Sequence, residues 1–271
     1  MFTVPTRVSE RIVTALKKFQ PVIQSAKTRD VNESDTVIIV TDMMSDLFGY
    51  DKYSELTSEF AVRTTYCDLA TKIDGQVQCL VEVKAVGTEL KDNHTKQAVD
   101  YAANQGIDWV ALTNGELWKI YKVSFTKPIA QDLVVELDIL KLSHKKPQDL
   151  ELVFLLSKEG FIKSALGDFN AQRQALNRFW IAAMLLTDPV LEVVRRELRR
   201  MSPDVKIDTD QIKAVLVQEV LKRDVIEGDK AEEAHKKVLK AAGRMLRVRA
   251  AAANGTSGEG NSEMAEEVPK T

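Results

Sequence analysis

Residues 66–86, YCDLATKIDGQVQCLVEVKAV, decide the fold of this chain. They read as a strand over 66–73, a hairpin turn at Asp74-Gly75 and a second strand over 77–86. Strand alternation sends Glu82 and Lys84 to one face, with Val81 and Val83 on the other. Pairing Asp68 opposite Glu82 brings two carboxylates together near the sheet end, with an ammonium beside them. That is the minimum equipment for holding a divalent cation and activating a water. Glu-x-Lys on an exposed strand face is also an ordinary solvated pair in proteins that never touch a metal. Two features favour a site. Glu82 and Lys84 interrupt the apolar run Cys79–Val86, which reads as an interior strand where charges are costly without a purpose. Downstream, a helix over His94–Asn104 places Gln97 and Tyr101 one turn apart on a single face.

Working outward, Val8, Ile12, Leu16 and Phe19 recur at helical spacing over residues 6–20, and Pro21 closes that helix. A second helix starts with Asn32 as cap and runs to Leu47, stopping at Gly49. Its Val37-Ile38-Ile39-Val40 patch also suits a strand. Strands are expected at 55–63, 66–73 and 77–86, then the Gln97 helix, then a strand at Trp109–Thr113. Asn114-Gly115 reads as a two-residue hairpin turn into Glu116–Val123. This order gives an α/β fold: a mixed sheet flanked by helices. After a short strand at Leu133–Leu137 the chain is an α-helical C-terminal region. One of its helices carries Arg195, Arg196, Arg199 and Arg200, interleaved with Glu192 and Glu197, as a mixed-charge face. The expected organisation is an N-terminal helix over 1–29, the sheet domain over 30–140, a helical region over 141–250 and a small-residue, polar, disordered tail over 251–271.

With 271 residues the chain can bury a substantial core. No apolar run is long enough to cross a bilayer and no secretory signal core opens the sequence, so a cytoplasmic protein is expected. The two cysteines, Cys67 and Cys79, are turned by strand parity away from the face of Asp68, Glu82 and Lys84, as buried free thiols. The three histidines, His94, His144 and His235, are scattered, and His94 reads as a polar residue opening a helix. A net charge of −2 leaves any nucleic-acid binding to local basic patches.

Asp68, Glu82-Val83-Lys84, Gln97-Ala98-Val99-Asp100-Tyr101 and Leu112-Thr113-Asn114-Gly115-Glu116-Leu117-Trp118 resemble the N-terminal nuclease domain of type I restriction enzyme R subunits, in the PD-(D/E)xK nuclease superfamily. Upstream, Asn32-Glu33-Ser34-Asp35-Thr36 resembles the acidic start of that family's first helix, and Leu47-Phe48-Gly49-Tyr50 its end. Cys67 stands where the superfamily's name places proline. The resemblance covers roughly residues 30–125 and implies a restriction-endonuclease-like sheet. It also implies a Mg²⁺-dependent DNA endonuclease, with Mn²⁺ as a substitute. Asp68, Glu82 and the carbonyl of Val83 would hold the metal. Lys84 would orient the water or stabilise charge, with Glu33 as an outer ligand or as the partner that fixes Lys84. Gln97 and Tyr101 would sit over the metal site and touch the nucleic-acid backbone or a ligating water.

Other roles stay open. Glu33 also suits a helix N-terminus simply as a negative charge, Tyr101 a half-buried core position, and Gln97 the surface. Thr113-Asn114-Gly115 reads as turn chemistry; Asp35, Asp74 and Asp92 read as cap and turn residues. No Gly-x-x-x-x-Gly-Lys-Ser/Thr phosphate loop occurs, so an ATP-driven motor is not expected in this polypeptide. DNA is the expected partner, with a homodimer or a targeting protein as further ones. The alternative is a non-catalytic nucleic-acid-binding or assembly protein built on a nuclease scaffold.

Overall fold

The computed structural model describes residues 3–62, 65–125 and 128–241. The expected tail over 251–271, and residues 242–250 of the expected helical region, lie outside the described residues. The chain divides into two compact units, residues 1–170 and 171–271.

The first unit opens with helices α1 (Thr6–Thr28) and α2 (Glu33–Asp46). Strands β1 (Leu56–Val62), β2 (Thr65–Ile73) and β3 (Gln76–Val83) follow. A 3-10 turn (Asp92–Thr95) leads into α3 (Lys96–Gln105). Strands β4 (Trp109–Thr113), β5 (Leu117–Ser124) and β6 (Ala130–Asp138) complete the sheet. Helices α4 (Pro147–Leu156) and α5 (Lys158–Ile162) close the unit, and α6 (Ala165–Ala175) begins in it. The six strands lie in chain order, every pair antiparallel except β3 and β4. A parallel pair needs a crossover, which the loop after β3 and α3 supply. This is the mixed sheet flanked by helices that the strand order predicts.

Period-two burial sorts the sheet into two faces. Val81, Val83, Ala111, Trp118 and Ile120 pack with the apolar stripes of α1, α2 and α4 into the main core. Leu80, Ala70, Val110 and Val123 pack against Ala98, Val99 and Ala102 of α3. Trp118 anchors the first face, edge-on to Phe48 with centroids 4.9 Å apart, and its indole N–H donates to the Gly115 carbonyl.

Local chemistry explains where these elements start and stop. Asn32 caps α2 by accepting the Asp35 amide at 2.9 Å, as its position predicts. The Val37–Val40 patch is helical, because Val40, Met43 and Met44 then share one buried stripe. The Asp74-Gly75 turn has φ of 51° and 77° between the paired Ile73 and Gln76. Three expectations need correction. Helix α1 does not end at Pro21 but runs through it to Thr28. Pro21 forfeits one backbone bond, yet Ile23 and Ala26 beyond it are buried, and Gln20 donates to the carbonyls of Ile139 and Leu142. The β4–β5 turn is shifted by one residue. Thr113 pairs with Trp118 and the Asn114 amide reaches the Leu117 carbonyl, so Gly115 (φ 84°) and Glu116 form its tip. The third concerns Cys67, taken up with the site below.

The second unit is helical: α7 (Arg178–Leu185), α8 (Asp188–Met201), α9 (Thr209–Val215) with a following π turn (Leu216–Val220), α10 (Arg223–Ile226) and a helix over 229–241. Three arginines of α8 are tied to acids, Arg195 to Glu192 at 2.5 Å, Arg196 to Glu197 at 3.3 Å and Arg200 to Glu197 at 2.8 Å, while Arg199 donates to the Ile207 carbonyl. No helix among the described residues is long and apolar enough to cross a membrane.

Candidate active site

Leu69 pairs with Val81, and the same register carried one step further sets Asp68 opposite Glu82. There the regular ladder ends. The Val83 amide, which would next look for an acceptor on β2, donates instead to the Asp68 carboxylate at 2.7 Å. A strand residue turns its N–H and C=O to the same edge, so the Val83 carbonyl also looks toward Asp68. On the other side of β3, the Lys84 amide donates to the Thr113 carbonyl at 2.8 Å, which fixes the strand's exit to β4.

The charged side chains converge on Lys84. Its Nζ lies 2.8 Å from Glu82 Oε1 and 3.6 Å from Glu33 Oε2. Glu33 comes from the first turn of α2, 51 residues before Lys84 in sequence, and is half exposed. Asp68, Glu82 and Lys84 are half-buried. Burial lifts the Asp68 carboxyl above its ordinary value, with the charge of Glu33 adding to it, against the Val83 amide and the Lys84 ammonium. Burial likewise lifts Glu82, aided by like charge on Asp68 and opposed by the Lys84 hydrogen bond. Burial alone would lower Lys84, but the Glu82 hydrogen bond and the surrounding carboxylates raise it.

Three carboxylates thus share one ammonium, a local excess of negative charge in a half-buried setting. Among the described residues no group of three or more His, Cys, Asp or Glu side chains is placed to hold a metal ion. A cation here could therefore use only Asp68, Glu82 and the Val83 carbonyl, with water completing its shell. An all-oxygen donor set of this kind suits Mg²⁺ or Mn²⁺ rather than a softer metal.

The remaining residues fall as follows. Gln97 sits in the first turn of α3, but its side chain lies outside the described residues. Tyr101 is half-buried and meets Phe60 edge-on, centroids 5.9 Å apart, beside the α3 core. His94 closes the 3-10 turn by accepting the Lys91 amide at 3.3 Å, a capping role.

Cys67 departs from strand parity. Cys79 lies in the main core as parity requires, but Cys67 packs with Leu80 and Ala98 on the α3 side. Opposite it, β1 carries Glu59 at φ 48° between the pairs Ser58↔Leu69 and Phe60↔Cys67. That left-handed residue breaks the pleat, and both Phe60 and Cys67 emerge on the α3 side. Both cysteines are buried and free.

Two buried polar residues to which the sequence reading gave no site role also border the site. Thr36 on α2 accepts the Val86 amide at 3.2 Å, and Asn114 donates to the carbonyls of Val86 and Thr88. The only signal for them in sequence is position: Thr36 closes the acidic start of α2, and Asn114 opens the turn after β4.

Comparison with curated proteins and comparison with solved structures give no match. Residues 39–135, running from α2 into β6 and holding Asp68, Glu82, Val83 and Lys84, match the family model of the type I restriction enzyme R protein N terminus (HSDR_N).

Proposed function

We propose that this chain is a metal-dependent endonuclease of the PD-(D/E)xK superfamily, hydrolysing phosphodiester bonds in DNA. One observation carries the reading: Asp68 and Glu82 face each other where β2 and β3 part, with Lys84 held between Glu82 and Glu33. The match to a restriction-enzyme domain supports both a nuclease activity and a DNA substrate.

In this reading Asp68, Glu82 and the Val83 carbonyl hold Mg²⁺, or Mn²⁺ in its place. The bound ion would supply a water of lowered pKa and a Lewis acid for the scissile phosphate. Asp68 is held at the mouth of the parting strands by the Val83 amide, so little reorganisation is needed to present its second oxygen. Lys84, a compact charge with three donors, can turn from Glu82 toward an attacking water or a phosphoryl oxygen. Glu33 keeps that ammonium aimed into the site. Gln97 and Tyr101 on α3 would line the approach of the nucleic-acid backbone. A homodimer or a targeting partner would explain how both strands are cut.

Incubation of the purified protein with supercoiled plasmid and Mg²⁺ or Mn²⁺, beside Glu82→Ala and Lys84→Ala, tests this. Metal-dependent nicking by the wild type, lost in both variants, establishes catalysis. Equal nicking by all three proteins points to a contaminating nuclease, and none on any DNA or RNA, with or without candidate partners, supports instead a non-catalytic nucleic-acid-binding or assembly protein on the same sheet.

A further inference from the structure

Between β3 and the 3-10 turn, residues 85–88 form a tight turn closed by the Thr88 amide on the Ala85 carbonyl at 2.8 Å. This turn is gripped from two sides through the peptide groups of one residue, Val86. Its N–H donates to Thr36 Oγ1 at 3.2 Å, and its C=O accepts from Asn114 Nδ2 at 3.2 Å. Neither grip is a surface contact: Thr36 is 1% exposed and Asn114 3%.

Both side chains are engaged on donor and acceptor sides. The Thr36 hydroxyl accepts from Val86 and donates to the Asn32 carbonyl at 2.8 Å, joining the start of α2 to the turn. Asn114 spends its two donors on Val86 and Thr88, and its two acceptor sites on the amides of Glu116 and Leu117. An amide with all four bonds made inside the protein has one orientation available to it.

The geometry points to a positioning device. Glu33 lies one helical turn before Thr36 on α2, and Lys84 lies two residues before Val86. The Thr36–Val86 bond therefore sets the separation across which Lys84 meets Glu33. We infer that Thr36 and Asn114 are positioning residues that hold Lys84 in register with Glu33 on one side and Glu82 on the other. The inference rests on the nuclease reading above, and it assigns the Thr-Asn-Gly segment a task beyond turn formation.

The test uses the full chain and three variants. Thr36→Val removes the hydroxyl at nearly constant volume, while Thr36→Ser keeps it. Asn114→Asp keeps the acceptors for Glu116 and Leu117 but turns an acceptor toward the carbonyls of Val86 and Thr88. Three readouts are taken: hydrogen exchange of the segment 84–88, kcat and KM for plasmid nicking, and Mg²⁺ binding by calorimetry. Thr36→Val and Asn114→Asp should speed exchange of that segment and lower kcat about tenfold, a loss typical of a misplaced catalytic group. KM and Mg²⁺ affinity should stay within about twofold, because Asp68 and Glu82 lie outside the grip. Thr36→Ser should restore both exchange and kcat. Faster exchange with kcat unchanged overturns the positioning role, as does unchanged exchange in both variants. An inactive wild type overturns the nuclease reading and the positioning role with it. That result is distinct from loss of the grip, which hydrogen exchange reports without any turnover.

Discussion

The Asp68 carboxylate accepts the Val83 amide at 2.7 Å, standing in for the backbone acceptor that β2 no longer offers. An acid thus caps the strand at the point where the two strands separate. The same bond holds Asp68 against Glu82 although burial disfavours both charges.

That arrangement costs stability when no cation is present. Both carboxyls have folded-state pKa values raised above their ordinary ones, so their contribution is fully present below the ordinary values and is lost as pH rises through the raised ones. In EDTA, the wild type should lose melting temperature relative to Asp68→Asn/Glu82→Gln as pH rises above the ordinary carboxylate range of about 4. Adding Mg²⁺ near neutral pH should raise the wild-type melting temperature and leave the double variant unmoved. A difference curve of the opposite slope would count against the shared site.

Removing the ammonium separates metal binding from chemistry. Lys84→Met should retain Mg²⁺ binding in calorimetry while nicking falls about 10²- to 10³-fold, the scale seen when a charge-stabilising donor is lost. Loss of metal binding together with activity would mean that Lys84 chiefly holds the fold of the site.

Away from the site, Arg11 joins the end of α2 to α5. It makes two hydrogen bonds to Glu159, at 2.6 and 2.7 Å, and reaches the carbonyls of Leu47 and Phe48. Arg11→Ala should cost about 2 kcal/mol in urea denaturation. Burial would lift Glu159, but its bonds with Arg11 hold it below its ordinary value. The difference between the two proteins should therefore hold at neutral pH and shrink as pH falls below the ordinary glutamate range of about 4.

Gly49 and Gly75 are both left-handed, with φ of 84° and 77°. A Cβ on Gly75 meets nothing within 4 Å, whereas one on Gly49 would sit 2.4 Å from the Arg11 guanidinium. Gly75→Ala should cost about 1 kcal/mol from backbone strain alone. Gly49→Ala should cost more, with a double-mutant cycle linking it to Arg11→Ala.

The thiols should be silent. Burial, then the charges of Glu82 and Asp68, push Cys67 well above its ordinary value, and burial lifts Cys79 to about 12. A thiol-specific disulfide reagent at neutral pH should label neither in the native protein and both in denaturant. Rapid native labelling would show that the β2 strand opens.

Much of this was legible in sequence, for reasons that differ by residue. The Asp74-Gly75 turn, the alternation through Glu82 and Lys84, and the Asn32 cap are local signals, and each holds as read. Pro21 misled because its penalty is local while the burial of Ile23 and Ala26 is tertiary. Cys67 misled because period two assumes an unbroken pleat, and the break lies across the ladder at Glu59. Thr36 read only as part of the acidic start of α2 and Asn114 as a turn residue, because their partners lie 50 and 28 residues away. Which residues stand near Glu33 is likewise a long-range fact, open to the resemblance but not to local pattern.

The β2–β3 hairpin has one further use. Its exposed tip stands at the opposite end of both strands from Asp68 and Glu82, roughly 20 Å away at the rise of an extended chain. A fluorophore or short epitope grafted there should test for DNA binding without disturbing Asp68, Glu82 or Lys84.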